Sequence, residues 1–72
     1  MLREVIREAR KRSGLTAKEV SLRLHPLDHS FVSKVERGGR TIDLVEFLDI
    51  ARAIGADPRE LFAAFYDRCK GS

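Results

Sequence analysis

Seventy-two residues with 14 Lys and Arg against 11 Asp and Glu, a net charge of +3, make one small domain, 1–72, with no room for a second. A chain of this size buries only about 60% of its unfolded surface and needs disulfides, a metal, a partner subunit or a very regular helical core. One cysteine cannot close an internal disulfide, two histidines without any CxxC pair exclude the usual structural zinc sites, and 43% apolar content argues against disorder. A helical core and a subunit partner remain.

The N-terminal run MLREVIREARKR interleaves charges every two or three residues and lacks the continuous apolar stretch of a signal peptide or membrane span. A cytoplasmic protein without a membrane partner is expected, with Cys69 as a reduced thiol. The charge is unevenly distributed. Residues 1–40 carry ten Lys/Arg and five Asp/Glu, a net of +5, whereas residues 41–72 carry four and six, a net of −2. The front half is suited to an anionic partner, of which nucleic acid is the commonest.

In chain order, Leu2, Val5, Ile6 and Ala9 recur at the spacing of one helix face, and Ser13-Gly14 stops the pattern, which predicts a first helix over about 2–13. Thr16-Ala17-Lys18-Glu19 reads as a capping box opening a second helix over about 17–24. Val20 and Leu24 point inward, and Pro26 disfavours helical geometry at His25. After the turn His25-Pro26-Leu27, Asp28 is the expected N-cap of a third helix over about 29–37, closed by Gly38-Gly39. Asp43-Leu44-Val45-Glu46 repeats the capping-box pattern for a fourth helix over about 44–54. Its Leu44, Phe47, Leu48, Ala51 and Ile54 share one face. Asp57-Pro58-Arg59-Glu60 places an N-cap, a proline at the first helical position and a glutamate at the third, so a fifth helix is expected over about 58–69. Lys70-Gly71-Ser72 reads as a frayed tail. The expected class is all-α with five helices.

A rotation of about 100° per residue puts Phe31, Val32, Val35 and Glu36 on one side of the third helix and His29, Ser30, Ser33, Lys34 and Arg37 on the other. Short hydrogen-bonding side chains flanked by two cations suit close approach to base edges together with phosphate neutralisation. A basic helix face is by itself more often a solvated surface. Here the context is two short helices joined by a tight turn, the unit that presents its second helix to the major groove.

Three stretches carry a family resemblance: Leu15-Thr16-Ala17-Lys18-Glu19-Val20-Ser21; Ser30 to Gly38, reading SFVSKVERG; and Asp43 to Gly55, reading DLVEFLDIARAIG. Over about residues 2–63 the chain resembles the Cro and lambda-repressor-like, XRE-type, helix-turn-helix transcriptional regulators. The resemblance implies a five-helix DNA-binding domain that takes no cofactor and binds a double-stranded DNA operator. Positions matching His29, Ser30 and Lys34, with Ser33 nearby, are implied base readers. Phosphate contacts are expected at the start of the second helix, from the N–H groups around Thr16 and Ala17, and from Arg37 and Arg40. Two departures stand out. Ala17 replaces the family's usual glutamine, and the stretch from Leu24 to Val32 is one residue longer than usual, with His25 where glycine is preferred.

Arg10 lies inward four residues after Ile6, and Glu36 lies inward four after Val32. In the resembled family such a pair forms a partly buried structural ion pair. On the fifth helix, Leu61, Phe62, Ala64, Phe65, Tyr66 and Cys69 span an arc of about 200°, twice what a surface helix commits inward. Leu61 and Phe65 are expected in the core, and Phe62, Tyr66 and Cys69 against a second copy of the chain. A homodimer would place two recognition helices about one DNA turn apart, as a palindromic operator requires.

No catalytic arrangement can be assembled, so no enzyme is expected. His25, Asp28 and His29 form a weak metal candidate, because Pro26 breaks the helix that would align the histidines. The resulting expectation is a dimeric repressor or autoregulator, with RNA polymerase or a regulatory protein as further partners. The competing reading is a protein-interaction module such as an antitoxin or antiactivator, favoured by Ala17 and the lengthened turn.

Overall fold

Local capping chemistry decides where the helices begin, and the computed structural model shows it for residues 2–70. Five helices follow one another: α1 (Leu2–Arg12), α2 (Ala17–Leu24), α3 (Phe31–Glu36), α4 (Leu44–Ile54) and α5 (Pro58–Lys70). Among the described residues there is no strand. The end of the expected tail, Gly71-Ser72, lies outside the described residues.

At the start of α2 the Thr16 hydroxyl accepts from Glu19 N at 3.1 Å while Thr16 N donates to Glu19 Oε1 at 3.0 Å. Asp43 and Glu46 do the same at the start of α4, at 2.7 and 3.1 Å. Each box satisfies two N–H groups that a helix cannot bond internally. At the start of α5, Asp57 Oδ1 accepts from Arg59 N at 2.9 Å. Gly55 ends α4 at φ 85°, in the left-handed region that glycine enters without a Cβ penalty.

The start of the third helix departs from the expectation. It begins at Phe31 rather than 29, and its N-cap is Ser30, whose side chain makes no cap bond. Asp28 acts locally instead. Its Oδ1 accepts from Ser30 N at 3.1 Å and from Ser30 Oγ at 2.9 Å. This bond to a residue two positions on is the Asx-turn that competes with helix formation for the same carboxylate. Residues 28–30 are thereby held in a turn, and the longer linker is absorbed before the helix starts. His25 packs its ring edge-on to Phe31 at 4.6 Å between centroids, and Leu27 stands wholly in solvent.

The core is formed by Val5, Ile6 and Ala9 of α1, Val20 of α2, Phe31, Val32 and Val35 of α3, four residues of α4 and Leu61 of α5. The α4 face is rotated from the expected one. Phe47, Ile50, Ala51 and Ile54 are buried, Leu48 is half-buried and Leu44 is exposed. The cause is tertiary: α4 packs against α1, α2 and α5 at once. Its buried arc therefore includes Ile50, which the single-face pattern omits, while Leu44 in the first turn stays uncovered.

Two polar links that join distant parts of the chain were not evident in the sequence. Ser21 is fully buried; its hydroxyl donates to Ala17 O at 2.7 Å and accepts from Val32 N at 2.9 Å. Val32 N belongs to the first turn of α3 and has no partner within that helix, so α2 supplies one. The second link is Arg68, whose Nη2 donates to Glu8 Oε2 at 2.7 Å and whose Nη1 lies 3.4 Å from Glu4 Oε2, joining α5 to α1.

Candidate nucleic-acid interface

The recognition candidate, α3, is held from beneath. Val32 and Val35 anchor it in the core, and beside them Arg10 Nε donates to Glu36 Oε2 at 2.7 Å and Arg10 Nη2 to Oε1 at 2.9 Å. The third donor direction is used as well, with Arg10 Nη1 donating to Leu15 O at 2.9 Å. The two side chains are 12% and 8% exposed. A forked pair of this kind fixes orientation as well as distance. The hydrogen bonds to Glu36 raise the guanidinium pKa above its ordinary value, so Arg10 stays charged.

With Glu36 and the valines turned inward, the opposite face carries His29, Ser30, Ser33, Lys34 and Arg37. His29, Lys34 and Arg37 are exposed, and Ser30 and Ser33 are half-buried. His29 and Ser30 precede the helix in the turn that Asp28 holds, Ser33 and Lys34 lie on the helix, and Arg37 is its C-cap. Lys34 Nζ is 3.8 Å from Asp28 Oδ2, with the two side chains 48% and 41% exposed. The hydrogen bonds from Ser30 hold the Asp28 carboxyl below its ordinary 3.8, with Lys34 adding to the effect, so it is ionised at neutral pH.

The phosphate candidates separate. Ala17 and Arg37 line one shallow depression of about 280 Å³, together with Arg7, Arg10, Ser33 and Glu36. Ala17 is the first helical residue of α2, where backbone N–H groups point outward and the helix dipole favours an anion. Arg7 is a cation of this depression that the sequence did not single out. A charge two turns before the loop becomes relevant only once α1 is laid beside α3.

Thr16 and Arg40 are placed differently from expectation. The Thr16 N–H is occupied by Glu19, so it is not an open donor for an anion. That bond, with the Thr16 hydroxyl nearby, lowers the Glu19 pKa from its ordinary 4.5, which leaves a negative charge at the mouth of α2. Arg40 Nη2 donates to Glu46 Oε2 at 2.6 Å, and its guanidinium carbon lies 4.7 Å from the Phe31 ring centroid. Arg40 is thus committed to the protein as a brace between the loop after α3 and α4, with part of its charge matched.

On α5, Leu61 is buried and Phe65 half-buried, while Phe62 and Tyr66 are 51% and 55% exposed and Cys69 is also exposed. Leu44, missed as a surface residue, is 68% exposed and lines two shallow apolar depressions that Phe62 also lines. Exposed apolar side chains of α4 and α5 are therefore contiguous.

Among the described residues, no group of three His, Cys, Asp or Glu is placed to hold a metal, and no helix is long and apolar enough to cross a membrane.

Comparison with known proteins agrees with this geometry. A helix-turn-helix family model matches residues 6–61. An XRE-family like protein from Pseudomonas syringae pv. tomato str. DC3000 is 40% identical, with a TM-score of 0.82 over 93% of this chain and 80% of that one. The restriction-modification controller protein C.AhdI from Aeromonas hydrophila is also 40% identical, with a TM-score of 0.70 over 83% of this chain and 86% of that one. No curated protein matches. The chain belongs to the XRE-type helix-turn-helix family of DNA-binding transcription regulators.

Proposed function

We propose that the protein is a homodimeric, sequence-specific transcriptional regulator, a repressor or autoregulator that reads a palindromic operator by inserting α3 into the major groove. The observation that carries this reading is the outward face of α3. It is polar and cationic, and it is held rigid from behind by the Arg10–Glu36 fork and the Ser21 link. His29, Ser30, Ser33 and Lys34 are the base readers, with lysine suited to guanine and serine to several bases. Phosphates are contacted at the Ala17 end of α2 and by Arg37 and Arg7 around the same depression. Arg40 contributes through its field and through the loop it braces. The similarity to a restriction-modification controller protein supports regulation rather than catalysis.

The exposed apolar surface of Leu44, Phe62 and Tyr66 supports self-association, with Cys69 one turn beyond on the same stripe. Two copies joined there would present two α3 helices to successive major grooves. Bound over a promoter, such a dimer represses by excluding RNA polymerase; beside one, it activates by touching polymerase.

Salt-titrated binding to a pool of duplexes tests the reading. Affinity should fall linearly with log salt, Arg37→Ala should reduce that slope by about one, and Lys34→Ala should weaken binding to the selected sequence more than to random DNA. DNA binding absent at low salt, with capture of a protein partner unaffected by either change, would favour the antitoxin or antiactivator reading.

A further inference from the structure

An acidic residue on the face proposed to meet DNA is out of place. Asp28 would be repelled by phosphates, yet it is ionised and 41% exposed beside two candidate base readers. Its two oxygens have different surroundings. Oδ1 already accepts two bonds, from Ser30 N and Ser30 Oγ, whereas Oδ2 lies 3.8 Å from Lys34 Nζ, beyond direct hydrogen-bond length. Oδ2 therefore keeps acceptor capacity for an incoming donor. The Ser30 hydroxyl donates its hydrogen bond to Asp28 Oδ1, so it turns only lone pairs outward. Lys34 supplies donors and no acceptor. The outcome is a fixed pattern of acceptors next to a donor a few ångströms away.

Both C·G and A·T set an amino donor beside acceptors in the major groove, but the preferred pairings of lysine with guanine O6/N7 and of a carboxylate with cytosine N4 select C·G. The cytosine N4 amino group is a donor beside the O6 and N7 acceptors of guanine. We propose that Asp28, Ser30 and Lys34 form one reading unit for a C·G base pair, Asp28 Oδ2 accepting from cytosine N4 and Lys34 Nζ donating to guanine. Both charges of the unit are then matched, Lys34 by guanine and Asp28 by the amino group and Lys34 together. This assignment rests on the DNA-reading function of α3 and specifies one position of its target. It also makes Asp28 a specificity residue.

Two measurements test it. Selection of bound duplexes from a random pool should yield, for the wild type, a motif with one C·G pair in each half whose preference disappears in Asp28→Asn while the remaining positions persist. Asparagine carries both a donor and an acceptor and pairs with adenine, so A·T should rise at that pair. The second measurement uses unmodified protein. An operator carrying N4-methylcytosine at the selected position keeps Watson–Crick pairing but lacks the N4 hydrogen facing the groove, and its affinity should drop about tenfold. An unchanged Asp28→Asn motif from folded variant, or unchanged affinity for the methylated operator, overturns the unit and leaves the regulator reading standing. A wild type that enriches no sequence overturns both.

Discussion

The two sides of α3 each carry an ion pair, and the pairs differ in every physical respect. On the inner side Arg10 and Glu36 meet as a fork at 2.7 and 2.9 Å, nearly excluded from water. On the outer side Lys34 and Asp28 stand 3.8 Å apart and are roughly half exposed. The inner pair spends Nε and one N–H of each terminal nitrogen of Arg10 on Glu36 and Leu15, and serves to set the orientation of α3. The outer pair contributes little to stability, since solvent screens it and long side chains lose entropy when held together. What it retains is unsatisfied hydrogen-bonding capacity, which is what recognition requires.

This contrast is sharpest in the response to truncation. Glu36→Ala would strand the Arg10 charge against the core and is expected to cost about 3–5 kcal/mol in urea unfolding. Ser21→Ala leaves Val32 N without its partner in a buried place, with an expected loss of about 1–3 kcal/mol by the same measurement. Lys34→Ala should change stability by no more than about 0.5 kcal/mol. In a DNA titration, though, it should lower affinity for the selected operator about tenfold or more. A large stability loss with Lys34→Ala would erase the distinction between the two sides.

A further outcome concerns the α4–α5 surface. Phe62→Asp should shift light-scattering mass at tens of micromolar from dimer to monomer with little change in unfolding, because Phe62 lies outside the core. A wild type that is monomeric there, with and without DNA, would remove the dimer from the proposal.

The smallest effect is set by acid. The carboxyl groups of Glu8, Glu19, Asp28, Glu46 and Asp57 lie below their ordinary values, chiefly through hydrogen bonds to Arg68, Thr16, Ser30, Asp43 and Arg59 respectively. A carboxyl with a lowered folded pKa adds stability that is complete above its unfolded value and is lost as pH falls through the folded one. Thermal midpoints should therefore stay level from pH 7 to about 5 and decline below the ordinary carboxyl values of 4.5 and 3.8.

Capping chemistry made much of the fold readable. Thr16 with Glu19 and Asp43 with Glu46 act within four residues, so their bonds depend on local backbone alone. Asp28 shows the limit of that kind of reading. The same carboxylate suits an N-cap or an Asx-turn, and the choice fell to the turn, which moved the start of α3 to Phe31. Leu44 and Ile50 show another limit, because a helix packed on three neighbours buries an arc that its own periodicity does not specify. At the candidate interface, the outward side of α3 follows from helical rotation. Arg7, by contrast, depends on where α1 comes to lie, and the restraint of Arg40 depends on Glu46 and Phe31 being brought beneath it.

By itself the amino-acid sequence determined an all-α chain of five helices and which residues of α3 point away from its apolar side. These are properties of nearest neighbours along the chain and of a fixed rotation per residue. Which polar groups are already satisfied follows instead from how the helices pack. Thr16, Arg40, Ser21 and Glu36 are bonded within the protein, while Asp28 Oδ2 and the apolar surface of Leu44, Phe62 and Tyr66 retain unused bonding capacity or uncovered area. The reason is physical: a donor, an acceptor or an apolar surface is open to a partner only if no segment brought next to it by folding has filled it first, and helical periodicity carries no information about that.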